Sequence, residues 1–289
     1  MNRRQLLNRG LLTAGALSLG KAIQATNAIF SVNTEQSFSH SACRWCYQDI
    51  PLEELAERGA SIGLQSIELL RPDEWSIVQA KGLQCAVATD QFANIQEGFN
   101  NRKNHASLQA AYPELIRGAA DAGIPNVIVF SGNRNGMKDS KGLENCARGL
   151  APLVKLAEEA GVTIVMELLN SLVDHKDYMC DHTAWGVALV NKIGSPNFRL
   201  LYDIYHMQIM EGNLIDNIRQ NHEYIAHYHT GGVPGRREIN ASQEINYPAV
   251  VQAIADMGYT GFIGQEFIPS YSNKLEALQE GLQICSIAD

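Results

Sequence analysis

From Ser41 onward, short apolar runs rich in β-branched residues alternate with longer segments whose apolar positions recur at helical spacing. This alternation occurs eight times. The strand-like runs are Ser41–Tyr47, Ser66–Leu70, Gln84–Ala88, Asn126–Phe130, Thr163–Leu168, Phe198–Asp203, Ile225–His229 and Gly261–Phe267. The clearest helical segments between them are Leu52–Ile62, Ala106–Ala122, Gly142–Ala160, Ala184–Ile193, Pro248–Met257 and Lys274–Ile287. Several of these segments close on a glycine, as at Gly161 and Gly194, where a left-handed cap is wanted. Eight strand-then-helix units in about 250 residues, with no Pro-, Ser- or charge-rich linker, predict the α/β class and a single closed (β/α)8 barrel over residues 38–289. An open doubly wound sheet in a dinucleotide role would need a glycine-rich phosphate loop after an early strand, and none is present.

In such a barrel the carboxyl ends of the strands build the active site, so a polar residue that terminates an apolar run acquires a location as well as an identity. Four runs carry such a residue at or next to their last position: Glu167, Asp203, His229 and Glu266. Their separations are 203 − 167 = 36, 229 − 203 = 26 and 266 − 229 = 37 residues, each about one strand-helix unit, which assigns them to four consecutive strands. Three carboxylates and an imidazole in one barrel mouth concentrate negative charge unless a cation sits among them. The set therefore predicts one divalent metal ion. Mixed oxygen and nitrogen donors suit Mn, Mg, Co or Zn without choosing among them.

Further candidates lie near these ends. His206, three residues past Asp203, is placed to contact substrate or orient a ligand. Trp45 and Tyr47 close the first run and offer either an apolar wall or core packing. Glu68 ends the second run and Asn133 follows the fourth; both read as pocket residues or as ordinary polar loop residues. Arg236 and Arg237, in the long loop after His229, are candidates to clamp an anionic or hydroxyl-rich substrate, or else are surface residues.

Composition narrows the partners. With 45% apolar and 19% charged residues, the 289-residue chain can bury a sizeable core. A net charge of −8 without a Lys/Arg run disfavours nucleic acid and fits a small, neutral or metal-neutralised substrate, with a homo-oligomer left open. Residues 1–28 read as an address: Arg3-Arg4 precede an apolar stretch from Gly10 to Gly20 and then the small residues Ala25 and Ala28. This pattern predicts a twin-arginine type export signal, a periplasmic location, and no membrane association once the signal is removed. The six cysteines form no disulfide framework. Cys43 and Cys46, read on one extended strand, would point to opposite faces, so free buried thiols are expected.

The series Glu167, Asp203-Ile204-Tyr205-His206, His229-Thr230 and Gln265-Glu266-Phe267 resembles the xylose-isomerase-like barrel superfamily of sugar isomerases, ketose 3-epimerases and an endonuclease branch. Pro234-Gly235-Arg236, Glu238 and Glu244-Ile245-Asn246-Tyr247 resemble its hydroxypyruvate isomerase branch in particular. Glu167-Leu168-Leu169-Asn170 is similar to that branch's Glu-Pro-x-Asn turn, without the proline. His229 stands where some hydroxypyruvate isomerases carry glutamine and the epimerases carry histidine. The resemblance implies that Glu167 and Glu266 bind metal and also act as acid and base. It also implies enolisation beside a carbonyl of a small hydroxy-carbonyl or sugar substrate, with isomerisation or epimerisation as its outcome. A metal-dependent endonuclease would need a basic groove and more histidine ligands. An exported, non-catalytic sugar-binding protein would not need two opposed carboxylates on a metal.

Overall fold

The computed structural model describes residues 38–287, all within one compact unit. The segment read as an export signal lies outside the described residues. Eight parallel strands follow in chain order: β1 (Ser39–Cys43), β2 (Ser66–Glu68), β3 (Val87–Ala88), β4 (Asn126–Val129), β5 (Thr163–Glu167), β6 (Phe198–Asp203), β7 (Ile225–Thr230) and β8 (Phe262–Gln265). Around them run α1 (Leu52–Ser61), α2 (Trp75–Gln79), α3 (His105–Asp121), α4 (Asp139–Ala160), α5 (Thr183–Ile193), α6 (Ile204–Met210), α7 (Leu214–Asn221), α8 (Tyr247–Asp256) and α9 (Lys274–Ile284). The strand ladder is β2-β1-β8-β7-β6-β5-β4-β3, and two isolated parallel bridges, Ser66 to Gln84 and Leu70 to Ala88, join its two edges. The expected (β/α)8 barrel is thus the observed fold.

The strands are buried on both faces, which is why they read as near-continuous apolar runs rather than as alternating ones. Gly161 and Gly194 adopt φ of 72° each and end α4 and α5 as left-handed caps, as expected. Strand boundaries differ from the expected runs, most at β3, which keeps only Val87–Ala88 of Gln84–Ala88, and at β1, expected over Ser41–Tyr47. The first strand ends at Cys43, and Arg44–Tyr47 form a 3-10 turn. Cys43 and Cys46 therefore do not share a strand; all six cysteines are free and buried.

One irregularity sets the level of the site. The β6–β7 register runs Leu200 to Ile225 and then Leu201 to His227, so Ala226 is an extra residue on β7. Because side-chain direction alternates along a strand, this one-residue shift decides which β7 residues face Asp203. Asp203 pairs with His229; without the shift it would stand opposite Tyr228.

Candidate active site

Glu167 ends β5, Asp203 ends β6, His229 lies near the end of β7, and Glu266 follows β8 directly. All four are buried, and one donor atom from each falls within 4.8 Å of the others. His229 Nδ1 lies 3.2 Å from Glu167 Oε1 and 2.7 Å from Glu266 Oε2. Asp203 also caps α6, accepting the His206 backbone N–H at 3.1 Å, so one side chain ends a strand and starts a helix.

Burial pushes the Asp203 and Glu167 carboxyls above the ordinary carboxylate range, and the Glu266 charge adds to this at Glu167. In Glu266 the upward push of burial is outweighed by Arg236 and His229, which hold it well below that range. Burial would lower His229, but Cys43, Glu266 and Glu167 outweigh it and hold the imidazole well above its usual value. Cys43 is itself pushed well up by burial and is a neutral thiol, so we assign the basicity of His229 to the carboxylates. This donor set, three carboxylate oxygens and an imidazole nitrogen converging in a buried volume, fits a divalent cation and could hold one.

The other candidates divide. Trp45 projects from the 3-10 turn and donates from Nε1 to Glu266 Oε1 at 2.6 Å. Arg236 Nη2 donates to Glu266 Oε2 at 2.6 Å and Asp203 Oδ2 at 3.0 Å, and its guanidinium lies 5.1 Å from the Trp45 ring centroid and 5.2 Å from that of Tyr205. Arg237 is exposed and does not share this role. His206 is fully buried. Its Nδ1 accepts from Asn170 Nδ2 at 2.6 Å, which leaves the hydrogen of the neutral ring on Nε2, 3.6 Å from Asp203 Oδ2. Tyr47 is core, and Asn133 forms a bridge with Tyr178; neither lines the cavity at the site. Glu68 is not a pocket residue either. It lies buried beside His227 and His229.

The loop motif from Pro234 to Tyr247 proves to be scaffolding for Arg236. The Tyr247 hydroxyl accepts from Gly231 N–H at 2.7 Å and donates to Gly231 C=O at 2.8 Å. Glu238 accepts from the backbone and hydroxyl of Ser270, tying this loop to the segment after β8. Asn170 and His175 escaped the sequence reading as site residues. Asn170 Oδ1 accepts from the backbone of Val173 and Asp174 while its amide holds His206, and the His175 ring lies 5.3 Å from that of His206. The Glu167-Leu168-Leu169-Asn170 turn was the available signal for the first of these.

A cavity of about 390 Å³ opens over Glu167, Arg236, Glu266 and His175, walled by Trp45 and Phe130. Past Trp45, Leu69 and Thr89 a second hollow of about 460 Å³ presents Arg44, Arg71 and Asp90.

Comparison with known proteins agrees with this geometry. The family model for the xylose isomerase-like TIM barrel matches residues 57–286. A putative hydroxypyruvate isomerase of Homo sapiens is 30% identical over 227 residues, 78% of this chain and 77% of that one. A 2-oxo-tetronate isomerase of Pectobacterium atrosepticum is 26% identical over 241 residues, 77% of this chain and 88% of that one. Among solved structures, D-psicose 3-epimerase from Clostridium cellulolyticum H10 shares the fold at TM-score 0.70 and 17% identity, over 86% of this chain and 98% of that one. The chain belongs to the xylose isomerase-like TIM-barrel family, within its hydroxypyruvate isomerase branch, and is an enzyme of the isomerase type.

Proposed function

We propose that the chain is a metal-dependent isomerase of the hydroxypyruvate type, shifting a carbonyl between neighbouring carbons of a small keto acid or sugar through an enediolate. The observation that carries this reading is the convergence of Glu167 and Glu266 on His229 Nδ1, which sets two carboxylates at one buried point open to the cavity. A divalent ion held by Glu167, Asp203, His229 and Glu266 would supply Lewis acidity toward the carbonyl and hydroxyl oxygens. One of the two glutamates takes the carbon-bound proton and the other returns a proton to the adjacent carbon. Arg236, held between Trp45 and Tyr205, orients the substrate oxygens, and His206, held by Asn170 with Nε2 3.6 Å from Asp203 Oδ2, orients that carboxylate. Trp45 and Phe130 restrict water on the cavity side.

The test is proton–deuterium exchange followed by NMR with metal-loaded protein and hydroxypyruvate. Exchange at the hydroxymethyl carbon with conversion to the aldehyde form is expected. Glu266→Gln should abolish it, a loss of at least about 100-fold for a positioned acid–base group, with the circular dichroism of the fold retained. Retained exchange in that variant would remove Glu266 from the chemistry.

A second reading is favoured by the size and shape of the cavity. The polar hollow beyond Trp45 suits a larger hydroxylated substrate, which makes ketose 3-epimerisation or enolisation of a keto-glycoside the alternative. Exchange with ketoses or keto-glycosides, and none with hydroxypyruvate, would select it. Export to the periplasm, proposed from Arg3-Arg4 and the apolar stretch that follows, is tested by cell fractionation with and without Arg3→Lys/Arg4→Lys.

A further inference from the structure

Glu68 is a fully buried carboxylate that the proton chemistry does not use. It sits at the end of β2, yet its Oε1 lies 2.6 Å from His229 Nε2 and 2.8 Å from His227 Nε2, both on β7. Two strands, β1 and β8, stand between β2 and β7 in the ladder, so the side chain must cross in front of both.

The residues along that crossing leave room for it. On β1 the position paired with Glu68 is Cys43, whose small thiol lies 3.6 Å from Glu68 Oε1. On β8 the position paired with His229 is Gly264. A Cβ at Gly264 would stand 2.5 Å from Glu68 Oε1 and 2.9 Å from His229 Cδ2, so any side chain there would force the two apart. A carboxyl group, cysteine, glycine and imidazole thus occupy successive strands at one level. A single carboxyl oxygen facing two ring nitrogens accepts hydrogen from at least one of them, because the group carries at most one proton of its own. The nearer of the two nitrogens is His229 Nε2, at 2.6 Å against 2.8 Å for His227 Nε2.

We propose that Glu68 is the positioning residue for His229: it takes the Nε2 hydrogen and thereby turns Nδ1 toward Glu167, Asp203 and Glu266. This rests on the reading that those four residues hold a divalent ion. Carboxylates that accept from the far nitrogen of a metal-bound imidazole orient the ring and raise its donor strength. Gly264 completes the arrangement by leaving the path between Glu68 and His229 clear.

The experiment is calorimetric titration of full-length, chelator-stripped protein with Mn2+, for wild type, Glu68→Gln and Gly264→Ala, with the melting temperature of each ion-free protein as the fold control. Binding weaker by roughly 10- to 100-fold is expected in both variants, the range for loss of a partner behind a ligand. The visible absorption of bound Co2+ should shift as well, since ring orientation changes the ligand field. A merely structural role would lower the melting temperature and leave both readouts where they were. Mn2+ affinity within threefold of wild type in either folded variant overturns the assignment of Glu68 while leaving the metal site intact. A wild-type protein that binds no Mn2+ overturns both. Should Glu68→Gln fail to fold, Gly264→Ala, which keeps the carboxylate, decides the matter.

Discussion

Arg236 shows how one side chain can be specified several times over. Its guanidinium bonds two carboxylates, lies near two aromatic rings, and sits on a loop pinned by Tyr247 and Glu238. A planar fork meets such a surround and an ammonium does not. Arg236→Lys should therefore raise KM by roughly tenfold, about 1.4 kcal/mol of binding, with a smaller change in kcat. Steady-state kinetics check it, and an unchanged KM would take Arg236 out of substrate binding. The convergence of the four candidate ligands was legible because each lies at the end of a strand at a spacing of one unit. Glu68 also closes a run, but its partners lie 159 and 161 residues away on another strand, and no local pattern records that. Asn170 was hidden differently, since an asparagine two residues past an apolar run reads equally well as a plain turn.

At the scale of elements, the long helices and the buried strands were readable because burial writes a period into the sequence. α2, α6 and α7 have five, seven and eight residues, too few turns for that period to separate them from a loop. The 3-10 turn at Arg44–Tyr47 escaped for the opposite reason. Its apolar residues continue the run of β1, while the chain bends to bring Trp45 over Glu266. β1 also carries His40, buried with Nε2 3.1 Å from the Ser286 hydroxyl beyond α9, and burial holds its pKa down to about 4. The unfolded chain binds that proton near pH 6.5 and the folded chain resists it. This contribution to stability is thus complete above about pH 6.5 and drains away as the pH falls toward 4. The difference in melting temperature between wild type and His40→Gln should narrow over that interval. A gap that stays constant from pH 7 to pH 4 contradicts the assignment.

For the whole molecule, the closed barrel and its mouth were legible, and the thinness of its seam was not: β3 shows only two strand residues, and isolated bridges join that side to β2. A ligand that binds only the folded barrel stabilises all of it. At a free ion concentration 100 times Kd the gain is about 2.7 kcal/mol. For a domain of this size that raises the melting temperature by roughly 5 to 11 °C. Scanning calorimetry with Mn2+ and with EDTA checks it; equal transitions in the two would remove the ion from the folded state. The feature with the widest consequence is the position of the four converging ligands, all of which come from β5 to β8. The wall of the cavity from Trp45 through Leu69, Thr89 and Ile95 to Phe130 comes instead from the first half of the chain. The groups proposed for proton transfer and most of the apolar cavity wall thereby lie on separate half-barrels. Exchanging residues of the first half for those of a relative should retune which molecule is accepted, provided Glu68 and Trp45, which reach across to His229 and Glu266, are kept.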